Sequence, residues 1–91
     1  MDKDWITLRE CDEAEQAAKG SAFRAFRSIE ANWQEPRDFC VLHHQHDRAL
    51  IDELRVQQRI YASTVNLLLA SPALAAAVRT QMRRRITDPA E

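Results

Sequence analysis

Four residues whose side chains can bind a metal ion lie close together in the middle of the sequence: Cys40, His43, His44 and His46. Cysteine thiolate and neutral imidazole are good zinc ligands, but a structural zinc site needs four ligands in a defined arrangement. The spacing here matches no established zinc finger, and the other cysteine, Cys11, lies far away in the sequence. We therefore predict neither a metal site nor a cofactor, and we interpret the histidines as a partly exposed polar cluster.

A catalytic site would need a nucleophile beside a base, or a pair of carboxylates in a cleft. Cys40 next to the histidines is the one combination of that kind, and a chain of 91 residues offers little room for a substrate pocket. The two cysteines are expected to be free thiols, because their spacing fits no C-x-x-C redox pair. We predict that the protein is not an enzyme.

Charged residues are grouped along the chain, although the net charge is only −1. Residues 19–27 contain three bases and no acid, and residues 79–85 contain four arginines and no acid. Residues 9–15 contain four acids and one base, and we interpret them as a solvated helix face. A chain that is nearly neutral overall can therefore present one basic face. The arginines at 83–85 suit either the C-terminus of a helix or a phosphate clamp.

Length and composition indicate one small globular domain that spans residues 1–91. The chain is 45% hydrophobic and 30% charged, which is typical of neither disordered nor membrane proteins. Its longest apolar stretch, at 65–70, is far shorter than the roughly 18 residues that a membrane span needs. The start of the chain lacks the basic and apolar segments of a secretion signal. We therefore expect a cytoplasmic protein that does not bind a membrane.

The elements that would position these residues begin with a clear helix signal. Thr7 followed by Glu10 forms a capping box, so a helix is expected directly after Thr7. The single glycine, Gly20, then leaves two alternatives. Either one long helix covers 8–33 and tolerates Gly20 at a cost of about 1 kcal/mol relative to alanine, or the chain breaks at 16–19 and a second helix begins around Gly20.

The later elements follow from residue types and turn signals. They are a loop at 32–37, a strand at 38–44, a helix at 47–58, a segment at 59–70 that suits either a returning strand near Ile60 or a helix, a C-terminal helix at 72–86 and a loose tail at 87–91. The last helix begins at Ser71-Pro72, a serine cap followed by proline at the first helical position. On a strand, Cys40, His44 and His46 would share one face, with His43 on the opposite face.

Residues 7–27 resemble the helix-turn-helix of the excisionase and MerR-like winged-helix families. Those families open the first helix with Thr-Leu-x-Glu-Ala and carry Ser/Thr-x-Tyr/Phe-Arg in the second. The matching residues are Thr7, Leu8, Glu10, Ser21, Phe23 and Arg24, with Lys19 at a position that is often basic. The chain departs from the pattern at Asp12, Gln16, Ala17 and Ala18, where the families usually have a small residue, a glycine, a branched apolar residue and a serine or proline cap.

The resemblance implies an α-rich α+β fold, with a winged-helix-like helix-turn-helix at 7–33 and a wing-like ribbon region with an inserted helix at 38–70. The second helix would place its N-terminal end in the major groove, where its N–H groups and dipole favour phosphate. Phe23 and Phe26 would anchor that helix in the core. The residues expected to contact DNA are Lys19, Ser21, Arg24, Arg27, His43, His44, Arg83 and Arg84.

The function implied by the resemblance is a small transcriptional regulator that binds duplex DNA. One alternative is a recombination accessory like an excisionase, and another is a helical protein–protein adaptor without DNA affinity. The apolar residues at 67–69, Leu74 and Val78 exceed what a small core needs, so we expect a homodimer. The segment 16–20 discriminates between the hypotheses, because a continuous helix there would remove the main support for DNA binding.

Overall fold

The computed structural model of the protein describes residues 4–86, with side chains described up to residue 84. The elements in chain order are β1 (Ile6–Thr7), α1 (Leu8–Ala14), α2 (Ser21–Ile29), a short 3₁₀ turn (Glu30–Asn32), β2 (Phe39–Leu42), α3 (Arg48–Val56), β3 (Leu67–Ala70) and α4 (Pro72–Ile86). The tail expected at 87–91 lies outside the described residues. Within the described part of the chain, every helix is too short or too polar to span a bilayer.

The first helix begins where the capping box predicts. The hydroxyl of Thr7 accepts the N–H of Glu10 at 3.1 Å, and the carboxylate of Glu10 accepts the N–H of Thr7 at 2.9 Å. Helix α1 ends at Ala14, and Gln16 follows it in the left-handed conformation with φ 53°. The N–H of Ala17 then donates to the carbonyl of Asp12 at 2.8 Å, a bond that is typical of a helix end.

The second helix begins after Gly20, whose φ of 91° is readily adopted only by glycine. The chain between α1 and α2 is therefore a turn with two left-handed residues, Gln16 and Gly20. The alternative of one continuous helix over 8–33 is wrong, because neither residue has a helical φ.

Strand β3 lies in the centre of a three-stranded antiparallel sheet of order β1-β3-β2 within the described residues. Thr7 of β1 pairs with Leu69, and Leu42 of β2 pairs with Leu67. The predicted α+β class is thus confirmed. The predicted strand at 38–44 is shorter than expected, and the returning strand is Leu67–Ala70 rather than a strand near Ile60. Ile60 is buried in the core from a loop, so its apolar character serves packing instead of sheet pairing.

Two clusters of buried side chains lie on opposite faces of β3. Leu67 and Leu69 contribute to one cluster, while Leu68 and Ala70 face the other, as the alternation of a strand requires. The larger cluster joins α1, α2 and α4 through Cys11, Ala22, Ala25, Phe26, Leu74, Ala75, Val78 and Met82. The smaller one packs α3 against the sheet through Trp5, Leu42, Ile51, Leu54 and Ile60.

The apolar residues on which the homodimer was predicted belong to these clusters. Leu67, Leu69, Leu74 and Val78 are all buried, and Leu68 is half-buried. One copy of the chain therefore already covers them, and no apolar surplus remains at these positions. The homodimer stays a prediction that has lost this support.

Candidate nucleic-acid interface

Helix α2 buries one side and exposes the other. Its buried residues are Ala22, Ala25 and Phe26, and its exposed side consists of Phe23, Arg24, Arg27 and Ser28. The prediction that Phe26 anchors the helix in the core is confirmed, since its ring packs edge-on against Phe39 with centroids 5.2 Å apart. The same prediction for Phe23 is wrong. Phe23 lies at the border of the buried stripe, and half of its surface is exposed.

The buried carboxylate of Asp12 in α1 caps the start of α2. Its Oδ1 accepts the N–H of Ala22 at 2.7 Å, and its Oδ2 accepts the N–H of Gly20 at 3.1 Å. The hydroxyl of Tyr61 also donates to Oδ2, at 2.6 Å. These two N–H groups at the start of α2, which the resemblance assigned to phosphate, therefore already have an anionic partner within the chain. These two groups are therefore not available to a phosphate.

The acids at 10–15 form the predicted solvated face only in part, because Glu13 alone among the four is exposed. Asp12 is buried, and Glu10 accepts a hydrogen bond from Arg59 at 3.0 Å. Glu15 accepts hydrogen bonds from Arg83 at 2.8 and 2.9 Å and from Arg79 at 2.7 Å. Arg83 and Arg79 hold the pKa of Glu15 at about 2. Pairing with distant arginines thus neutralises much of the negative charge of this helix.

Lys19 connects the turn between the helices to the loop before β3. Its Nζ donates to the Oγ of Ser63 at 2.9 Å and lies 5.0 Å from the centre of the Tyr61 ring. Arg9 approaches the same ring at 5.3 Å. Burial, followed by the hydrogen bond to Asp12, raises the pKa of Tyr61 to about 12. Tyr61 is therefore a neutral anchor between two cations and a buried carboxylate.

A groove of about 160 Å³ separates the start of α2 from this loop and β3. Lys19, Gly20 and Phe23 lie on the side of α2, and Tyr61, Thr64 and Asn66 lie on the opposite side. The Oδ1 atom of Asn66 accepts the backbone N–H of His44 at 3.2 Å. The groove thereby leads to the turn at 43–46, which we call the histidine turn, and Asn66 lines the depression at that turn as well.

Three further predicted contact residues lie on α2 without lining this groove. Arg27 is exposed and forms an ion pair with Glu30 at 3.4 Å, one of the surface pairs that contribute little to stability. Arg24 is exposed, and its Nη1 lies 3.7 Å from the position that a Cβ would take on Gly20. Ser21 is half-buried as the first residue of the helix. Lys19, Ser21 and Arg24 lie near the N-terminal end of α2, whereas Arg27 lies in its last turn.

The histidines belong to the turn rather than to a strand. Strand β2 ends at Leu42, so the prediction that Cys40 shares a strand face with His44 and His46 is wrong. His43, His44 and His46 are all exposed. Among the described residues no three potential ligands lie close enough together to hold a metal ion. His44 is the member of this group that the structure connects to the groove, through Asn66.

Arg83 and Arg84 lie near the C-terminal end of α4, away from the residues that line the groove. Arg83 forms an ion pair with Glu15 at the end of α1 and so connects α4 to α1. Arg84 is exposed on the same helix. The structure does not bring this pair together with the other predicted contact residues. It adds four residues that the sequence did not assign to the site, namely Asp12, Phe23, Tyr61 and Asn66.

Comparisons of the chain with protein-family models, with curated proteins and with solved structures find no match.

Proposed function

We propose that the protein binds duplex DNA through a winged helix-turn-helix and acts as a small regulator of transcription. In this proposal α2 is the recognition helix, and β2, α3 and β3 form the wing. The observation that carries the proposal is the turn at 15–20, which separates α1 from α2 and leaves a basic side of α2 exposed beside the groove. A helix presented in this way is the part of a helix-turn-helix that enters the major groove.

The order of the elements supports the proposal. Strand β1 precedes the two helices and pairs with β3, while β2 and β3 form an antiparallel ribbon after them. Two helices followed by a ribbon with an inserted helix are the order that the resemblance to the winged-helix families implies, and β1 is a strand that it did not include. The inserted helix α3 packs Ile51 and Leu54 into the smaller core cluster, so the wing is anchored by its own apolar contacts.

The charge distribution also favours DNA as the ligand. Residues 19–29 carry Lys19, Arg24 and Arg27 and no acid, and Glu30, which follows them, pairs with Arg27 at 3.4 Å. The nearest acids of α1 are removed from this surface, because Asp12 is buried and Glu15 is paired with arginines of α4. A locally basic surface attracts the phosphate backbone even when the net charge of the chain is slightly negative.

The proposal is tested by fluorescence anisotropy with random-sequence duplex DNA between about 50 and 200 mM salt, the range over which phosphate contacts are strongly screened. The variant is Arg24→Ala/Arg27→Ala. Its matched control is Arg37→Ala, which removes an exposed arginine at the other end of β2 from the histidine turn. We expect the slope of log Kd against log salt to fall by about 2 in the double variant, as the loss of two phosphate contacts predicts.

The control should retain the native affinity and the native slope. Absence of salt-sensitive binding by the native chain at low salt would overturn the proposal. So would an equal loss of affinity in Arg37→Ala, because the basic side of α2 would then have no special part in binding.

A further inference from the structure

Phe23 is the large apolar side chain on the exposed side of α2. It is the third residue of the helix, and half of its surface is accessible. Its ring also lines the groove opposite Thr64 and Asn66. The accessible half of the phenylalanine is therefore open to a contact from outside the chain.

The neighbours of Phe23 restrict what that contact can be. Arg27 lies one helical turn further along α2, and Lys19 lines the same groove. A ligand that touches both the exposed side of α2 and Asn66 beside the histidine turn must cover the ring of Phe23. An apolar protein surface laid over this region would remove water from the Lys19 ammonium and from the Arg27–Glu30 ion pair without supplying them a new partner.

The major groove of DNA offers both an anionic partner for the cations and an apolar partner for the ring of Phe23. Phosphates lie along its rims, where arginine and lysine side chains reach them, and base edges form its floor. Thymine presents a 5-methyl group on that floor, and phenylalanine is one of the side chains that contact it. N-terminal residues of a recognition helix are those that approach base edges.

We infer that Phe23 contacts the 5-methyl group of a thymine in the major groove and thereby determines part of the sequence preference of the protein. The inference rests on the proposed DNA-binding function and names the base that one residue recognises. Arg24 and Arg27 then bind the phosphates or guanine edges that flank this thymine.

The test begins with duplexes selected for binding from a random-sequence pool. In each selected duplex, single thymines are replaced by deoxyuridine, which removes the 5-methyl group and leaves the base-pairing edge unchanged. Affinities are compared for the native chain, Phe23→Ala and Phe23→Leu. The matched control is Val56→Ala, since Val56 is an exposed apolar residue on α3 that does not line the groove.

We expect one or two thymines at which deoxyuridine weakens the native chain by about 3- to 5-fold, the effect of losing one buried methyl group. Phe23→Ala should lose a similar factor on unmodified DNA and be insensitive to deoxyuridine at those positions. Phe23→Leu should retain part of the sensitivity, and Val56→Ala all of it. Thermal unfolding of each variant establishes that it is folded, which the half-exposed position of Phe23 favours.

Two results would overturn the inference, and they are distinguishable. If the native chain and Phe23→Ala lose the same affinity at every deoxyuridine, the protein binds DNA but Phe23 does not contact a thymine methyl group. The same result is expected if the ring of Phe23 binds a protein partner instead. If no duplex is enriched and binding is insensitive to salt, the proposed function itself fails.

Discussion

The carboxylate of Asp12 in α1 holds the first turn of α2, because its Oδ1 accepts the backbone N–H of Ala22 at 2.7 Å. A helix is usually capped by its own N-cap residue, but here that residue is Gly20, which has no side chain to accept a hydrogen bond. The cap is therefore supplied by the preceding helix. This bond links the two helices across the turn and accounts for a buried carboxylate at position 12.

Replacement of Asp12 is expected to cost a large part of the stability. Asp12→Ala leaves the N–H groups of Gly20 and Ala22 and the hydroxyl of Tyr61 without their acceptor. We expect the free energy of unfolding to fall by about 2–4 kcal/mol, measured by urea denaturation. Glu13→Gln, an exposed acid on the same helix, is the control and should change stability by less than about 0.5 kcal/mol. Equal effects of the two variants would contradict the capping role of Asp12.

The ionisation of Tyr61 can be measured directly, because it is the single tyrosine of the sequence. Its pKa is raised to about 12 in the folded chain, so phenolate absorbance should appear with a midpoint well above the ordinary value of 10. The same titration in urea should give a midpoint near 10. A raised folded pKa stabilises the fold below pH 10, and this contribution is lost as the pH rises through about 12. A midpoint near 10 in the folded chain would contradict the burial of the hydroxyl against Asp12.

The elements that could be predicted are those determined by neighbours in the sequence. The capping box joins Thr7 to Glu10, three residues further along, and α1 begins directly after Thr7. Ser71 and Pro72 act in the same way at α4, where the Ser71 hydroxyl accepts the N–H of Leu74 at 3.2 Å. Such signals depend on local geometry alone, so the residue types suffice to recognise them.

The candidate site could be predicted only in part, because its connections are long-range. Tyr61 and Asp12 are 49 residues apart, Arg83 and Glu15 are 68 residues apart, and His44 lies 22 residues from Asn66. Nothing in the residue types shows which acid meets which arginine. The sequence therefore predicted a solvated acidic face where the folded chain has ion pairs and a buried cap. Phe23 was assigned to the core for a similar reason, since periodicity does not show where a buried stripe ends.

The pair of arginines around Glu15 predicts a specific dependence of stability on acid. The pKa of Glu15 is lowered from 4.5 to about 2 by hydrogen bonds from Arg83 and Arg79. The lowered pKa of Glu15 stabilises the folded chain above pH 4.5, and this stabilisation is lost as the pH falls through about 2. Glu15→Gln should therefore be less stable at neutral pH and show a flatter stability profile in this window, measured by urea denaturation. The control is Glu53→Gln, which replaces an exposed acid on α3 and should keep the native dependence of stability on pH. The same native dependence in Glu15→Gln would contradict the stabilising role of the ion pairs of Glu15.

The left-handed residue after α1 predicts a substitution that stabilises the protein. Gln16 has φ 53°, a conformation that costs any side-chain-bearing residue energy and that glycine adopts readily. Gln16→Gly should raise the free energy of unfolding by up to about 1 kcal/mol, because the relieved strain exceeds the added flexibility of the unfolded chain. Gln58→Gly, at φ 61° after α3, should behave alike.

The matched control for these substitutions is Gln57→Gly. Gln57 directly precedes Gln58 but has φ −75°, so glycine removes no strain there and only adds flexibility to the unfolded chain. This variant should lose about 0.5–1 kcal/mol. A stability order of Gln16→Gly above native above Gln57→Gly is therefore expected from thermal unfolding. If all three glycine variants were destabilised alike, α1 would not end in a left-handed turn at Gln16, and the break that separates the two helices would need another cause.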